Sequence, residues 1–247
     1  MKVSNDQELV CGINAVKEII SIRPKSVLSL LLQDEKRSSR IESLSNLANK
    51  NHIEKILEDD KFFEHNFSDQ NHQGVAILCN KRLEENETFL EKLLEKENLL
   101  ILILDHLTDP HNVGACLRSA AAAGADAVIV PKNRSCHLTP TVRKISSGGS
   151  ELMPFIVVTN LNRTIERISD SGIKVIGAAA DTGQNHTEID MKGSAAFIIG
   201  SEDKGLKRLT AEKCHTLAAI DMPGGIESLN ASVTAGIILF EYVRQNS

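Results

Sequence analysis

The sequence has no tryptophan, one tyrosine (Tyr242) and only 3% aromatic residues. Recognition by extensive base stacking would therefore fall to Phe, His or Arg. The five cysteines, Cys11, Cys79, Cys116, Cys136 and Cys214, stand singly, with no CxxC pair and no histidine at ligand spacing. That pattern supports neither a zinc site nor a disulfide framework and points to the reducing cytoplasm. No apolar run reaches the roughly 20 residues that span a bilayer. The opening MKVSNDQELVCG lacks the apolar stretch of a secretory signal, so the expectation is a cytoplasmic protein with no membrane segment. Positive charge is not in excess: 28 basic against 33 acidic residues give a net charge of −5. Nucleic-acid binding by bulk charge alone is excluded, whereas binding through a local basic surface is not. The GxGxxG, GxxxxGK[ST] and GxSxG signatures are also missing, which argues against a Rossmann dinucleotide site, a P-loop and a serine hydrolase of the usual α/β type.

What remains is an ordinary globular composition, 41% hydrophobic and 25% charged over 247 residues, long enough for one large or two small domains. The composition changes near residue 98, where the charged KRLEENETFLEKLLEKE (81–97) gives way to the apolar LLILILD (99–105). Residues 1–97 carry 14 basic and 18 acidic side chains, and residues 98–247 carry 14 and 15. The expected organisation is an N-terminal domain over 1–80, a linker over 81–97 and a C-terminal domain over 98–247. In the first part, 13–21 has helical spacing, 26–33 reads as a buried strand, 38–51 as a helix and 74–80 as a strand after the turn NHQG.

The C-terminal part alternates more clearly. Strands are expected at 99–105, 125–131, 155–160, 173–180, 195–200 and 217–222, with helices at about 112–123 (closed by Gly124), 161–171 (closed by Gly172) and 229–245. Near-continuous apolar strands alternating with helices predict an α/β domain built on a parallel sheet covered on both faces. Ligands then bind beyond the carboxyl ends of the strands.

Three segments leave a strand there and enter a loop rich in Gly, Asn, Ser and charge. In DHLTDPHNVGACLRSA (105–120), Asn112 stands where a helix begins and suits a cap, and Arg118 lies six residues on. Spacing alone allows both to be structural. In IIGSEDKGLKR (198–208), Gly200 and Gly205 permit close backbone approach, Glu202 follows the strand end, and Lys204, Lys207 and Arg208 add charge; a solvated helix start explains these equally. In IDMPGGIESLNASVTAG (220–236), Ser228, Asn230 and Ser232 crowd the start of a helix that needs only one cap. Val233, Ile237, Phe240 and Arg244 share one face of that helix. His106, His111, His137 and His215 are read as lone structural or exposed residues.

Together and in this order, DPHNVGACLRSAAAAGADAVIVPK, FIIGSEDKGL and IDMPGGIESLNASVTAGIILFEYVRQ resemble the three motifs of the SpoU/TrmH-type RNA ribose 2′-O-methyltransferases of the SPOUT superfamily. CGINAVKEII and NHQGVAI also look like the small substrate-binding domain of the subgroup that methylates a guanosine of 23S ribosomal RNA. The resemblance implies a deep trefoil knot in the C-terminal domain and an S-adenosylmethionine pocket near Ala179, Gly200, Ile220, Met222 and Leu229. It also implies a homodimer with the knot and last helix at the interface; an apolar stripe over 233–243 fits that role and ordinary core burial equally. Arg118 would be the activating residue, with Asn112, Glu202, Ser228 and Asn230 orienting it, the ribose and the nucleotide, and no metal would be needed. For RNA contact, PKNRSCHLTPTVRK (131–144) offers Lys132, Arg134, Arg143 and Lys144, which a solvated loop and helix face would also explain. The expected reaction is 2′-O-methylation of a 23S rRNA guanosine. The alternatives are a tRNA ribose methyltransferase and a non-catalytic RNA-binding assembly factor.

Overall fold

A computed structural model describes residues 3–34, 38–68, 70–179, 184–201 and 205–247. The chain divides into two compact units, Met1–Leu83 and Glu84–Ser247. In the first, β1 (Gln7–Cys11), α1 (Ile13–Ile22), β2 (Val27–Gln33), α2 (Ser39–Lys50), β3 (Glu54–Glu58), α3 (Asp60–Phe67) and β4 (Val75–Asn80) follow in order. The sheet runs β1-β4-β2-β3, with β2 and β3 parallel and the other pairs antiparallel. Leu30, Val75, Ile77 and Cys79 face α1 and α2, while Leu31 and Ala76 face Phe63 and Phe67 of α3. β1, β3 and α3 were not expected from the sequence. The two strands are the sheet edges, and their QELVC and EKILE carry charge into positions that water reaches.

The second unit contains α4 (Glu87–Leu93), β5 (Leu100–Leu104), α5 (Pro110–Ala122), β6 (Ala127–Pro131), α6 (Pro140–Ile145), α7 (Gly149–Leu152), β7 (Phe155–Val158), α8 (Leu161–Asp170), β8 (Lys174–Ala178), β9 (Gln184–Asn185), β10 (Ala195–Ile199), α9 (Arg208–Ala211), β11 (Thr216–Ala219) and α10 (Ala231–Asn246). Its sheet has the order β7-β6-β5-β10-β8-β11-β9, and every pairing is parallel. Alternation along the strands divides the core. Leu100, Leu102, Leu104, Val128, Val130 and Phe197 pack with α5 and α10, whereas Ile101, Ile103, Ile129, Ile156 and Ile198 pack with α4 and α8. Burial on both faces is why these strands read as continuous apolar runs. Gly124 and Gly172 take φ of 75° and 81° just past α5 and α8, the left-handed closure expected of them.

Residues 84–97, expected as part of a linker, lie within the second unit. Asn86 caps α4 by accepting from Thr88 N and Phe89 N, Leu90 and Leu93 are buried, and Glu85 bridges Ile156 of β7. Leu90 and Leu93, with Phe89 partly buried beside them, dock a helix whose remaining residues are polar or charged. Among the described residues no helix is long and apolar enough to cross a membrane.

Candidate active site

The carboxyl ends of β10, β8 and β11 lie side by side in the sheet, and each leads into one of the positions singled out in the sequence. Ala179 follows β8 and donates its N–H to Ala218 O at 3.0 Å. Ile220 and Met222 follow β11 and are half-buried, as is Leu229 just before α10. Gly200 follows β10 and is buried, and a Cβ placed on it would lie 2.2 Å from the Gly205 carbonyl carbon and oxygen and 2.4 Å from Leu206 N. No side chain fits there without moving the loop. Gly205, at φ 60°, donates to Ser201 O at 2.8 Å and closes the turn. Glu202 and Lys204 lie outside the described residues.

Asn112 is 6% exposed and does not cap α5. Asp109 does so, accepting from His111 N at 3.0 Å, with Pro110 in the first turn. This corrects the capping role expected for Asn112: the Asp-Pro pair takes the helix start two residues earlier and turns Asn112 inward. Its side-chain oxygen accepts from Asn230 Nδ2 at 2.8 Å. Asn230 is itself the cap of α10, its oxygen accepting from Ser232 N at 2.9 Å and from Ser232 Oγ at 2.6 Å. Two helix N-termini thus meet at one amide pair, a setting that favours negative charge. Ser228, two residues upstream, is exposed, as is Arg118 in the third turn of α5.

Of the residues expected to contact RNA, Lys132, Arg134 and Lys144 are exposed. Arg143 is placed otherwise. Its side chain is 11% exposed, and Nη1 donates to Glu151 Oε1 at 3.2 Å, with the Glu151 side chain 3% exposed. A guanidinium held by a buried carboxylate is not open to a phosphate. The sequence hid this because Glu151 lies in a separate helix, behind the small-residue run SSGGS; that run was the available signal of a tight backbone crossing.

Three of the histidines read as lone have partners. His106, at φ 60°, pairs through Nδ1 with the buried Asp105, whose other oxygen accepts from Lys207 N at 3.3 Å. His215 Nδ1 accepts from Val175 N at 2.9 Å. His137 places Nδ1 3.0 Å from Glu84 Oε2 and Nε2 3.0 Å from Lys132 O. Burial depresses its imidazolium, but these two acceptors outweigh burial, and its pKa stands above the usual value. Burial, helped by the Asp105 carboxylate, pushes the Cys214 thiol up to about 11, which removes it as a nucleophile at neutral pH. Among the described residues, no group of three or more His, Cys, Asp or Glu is arranged to hold a metal ion.

Comparison with known proteins gives the family. Residues 99–240 match the SpoU rRNA Methylase family, and residues 9–84 match the RNA 2′-O ribose methyltransferase substrate-binding family. The chain is 41% identical over 240 residues to the 23S rRNA (guanosine-2′-O-)-methyltransferase RlmB of Pseudomonas putida, covering 96% of each protein. It is also 41% identical to the protein of the same name from Coxiella burnetii, covering 96% of this chain and 95% of that one. Among solved structures, the SpoU methyltransferase AviRb of Streptomyces viridochromogenes in complex with AdoMet superposes with a TM-score of 0.79. That match is at 22% identity, over 97% of this chain and 90% of that one, and it shows the shared fold.

Proposed function

This chain belongs to the SpoU rRNA methylase family, and we propose that it transfers the methyl group of S-adenosylmethionine to the ribose 2′-hydroxyl of a guanosine in 23S ribosomal RNA. The observation that carries the reading is the full-length identity of about 41% to 23S rRNA guanosine methyltransferases.

The cofactor supplies an electrophilic methyl on a sulfonium centre. The chain must supply alignment, a path for the hydroxyl proton and stabilisation of charge on the ribose oxygen. The loops at Ala179, Gly200, Ile220, Met222 and Leu229 hold the cofactor, largely through backbone groups and apolar contact. Arg118 remains a cation at any working pH, so its task is to hold the neighbouring phosphate and favour the developing alkoxide rather than to accept the proton. The Asn112–Asn230 pair joins the start of α10 to that of α5, the helix that carries Arg118, and Ser228 and Glu202 orient the ribose and nucleotide. Lys132, Arg134 and Lys144 contact the RNA backbone, and the N-terminal unit selects the RNA.

The reading also includes a deep trefoil knot in the C-terminal domain, action in the cytoplasm and a homodimer. In support of the dimer, Val233 and Phe240 are 48% and 51% exposed on α10, an apolar face that a second copy would cover. The direct test is transfer of label from methyl-labelled S-adenosylmethionine to total RNA lacking its own ribose methylations, followed by fractionation. Label in 23S rRNA is the expected result. Label in tRNA would overturn the substrate assignment.

A further inference from the structure

Arg143, set aside above as an RNA contact, has its guanidinium buried against Glu151 in the segment pressed onto the helix that carries Arg118. Two glycines make that contact possible. A Cβ on Gly114 of α5 would lie 2.8 Å from Ile145 Cβ and 3.0 Å from Val142 O, so α6 touches the α5 backbone. A Cβ on Gly149 of α7 would lie 2.8 Å from Leu117 O and 3.1 Å from Arg118 Cα. Arg118 comes four residues after Gly114 and therefore stands on the same side of α5, at the edge of the contact with α6 and α7.

The α6–α7 turn is held by more than packing. Ser146 Oγ donates to Arg143 O at 2.8 Å, lies 3.1 Å from Ser150 Oγ and accepts from Ser150 N at 3.2 Å; Ser146 and Ser150 are both buried. The Arg143–Glu151 pair ties one end of this turn to the other. Charged side chains are rarely buried without a reason, and a buried ion pair is weak evidence for stability in itself. Here it sets the depth at which Gly149 rests on the α5 backbone at Arg118.

We propose that Arg143 and Glu151 are positioning residues for methyl transfer, acting through the placement of Arg118. The inference rests on the reading of Arg118 as catalytic, so Arg118→Ala is measured alongside. In the full-length protein, Arg143→Met lowers kcat at least tenfold, while KM for RNA and the affinity for S-adenosylmethionine by calorimetry stay within twofold of the parent. Arg143→Lys, which keeps the charge, restores most of kcat. In an Arg118→Lys background the Arg143→Met change costs no more than twofold, because the two residues act as one unit.

A raised KM for RNA with kcat unchanged would make Arg143 an RNA contact and overturn the proposal. Equal losses in both backgrounds would make the pair a structural element only, and unchanged kcat would also reject it. If Arg143→Met does not fold, Gly149→Ala supplies the same test: it leaves the ion pair in place and drives a methyl towards the Leu117 carbonyl, so kcat falls while cofactor affinity holds. Retained activity in Arg118→Ala would refute the reading of Arg118 itself, whereas its loss alongside an unaffected Arg143→Met would refute positioning alone.

Discussion

Asn230 donates its side-chain amide to the Asn112 side-chain oxygen at 2.8 Å, joining the first turns of α10 and α5 across 118 positions of the chain. Asn112 is buried whereas Asn230 is exposed, so removing the Asn112 amide leaves Asn230 open to water and costs about 1 kcal/mol, the worth of an ordinary hydrogen bond. Asn112→Ala is therefore expected to lower the melting temperature by about 2–4 °C for each kcal/mol lost in a domain of this size. Methyl transfer should fall at least tenfold, because the α10 start loses its fixed relation to α5. Thermal melts and single-turnover transfer check both; unchanged transfer would remove the pair from the active site.

Gly200→Ala places a methyl within 2.2 Å of the Gly205 carbonyl, so the backbone at Gly205 and Leu206 must shift. The expected outcome by calorimetry is loss of S-adenosylmethionine affinity by an order of magnitude or more, with the fold retained. Parent-like affinity would place the cofactor elsewhere.

Arg118→Ala separates catalysis from cofactor binding. Removal of one group that stabilises charge in the transition state costs about 10²-fold or more in rate, and Arg118 is an exposed side chain on α5. Transfer should collapse while the cofactor dissociation constant stays within twofold. A comparable loss of cofactor binding would contradict the division of labour.

His137 links Glu84 to the loop that begins at Lys132. A neutral imidazole can donate from only one nitrogen, so deprotonation gives up one of its two contacts. Because the folded-state pKa is raised above the ordinary imidazole value, the stabilisation is fully present below about pH 6.5 and fades as pH rises through the folded pKa. Melts of the parent and Glu84→Gln should differ most at pH 6 and converge at pH 9. A difference independent of pH would assign the contact to packing.

The central strands of the C-terminal sheet were legible because they are covered on both faces, so LILIL and AAFII stand out as apolar runs; the two-residue edge strand β9, QN, was not. The N-terminal edge strands were not, since QELVC and EKILE mix charge with apolar residues at sheet edges that water reaches. The cofactor positions came from the family resemblance and not from spacing, which left the Gly200 segment open; at Gly200 the structure leaves no room for a side chain. Arg143 was misjudged because sequence spacing shows charge but not the buried carboxylate that neutralises it. The same limit hid the histidine partners: His137 meets Glu84 from 53 residues away.

The most direct test of the central claim is to methylate unmodified 23S rRNA with the full-length protein, digest the product to nucleosides and identify the methylated species by mass. The account predicts a single product, 2′-O-methylguanosine, formed only when S-adenosylmethionine is present. A guanosine methylated on the base, or a methylated ribose on another nucleoside, would contradict it.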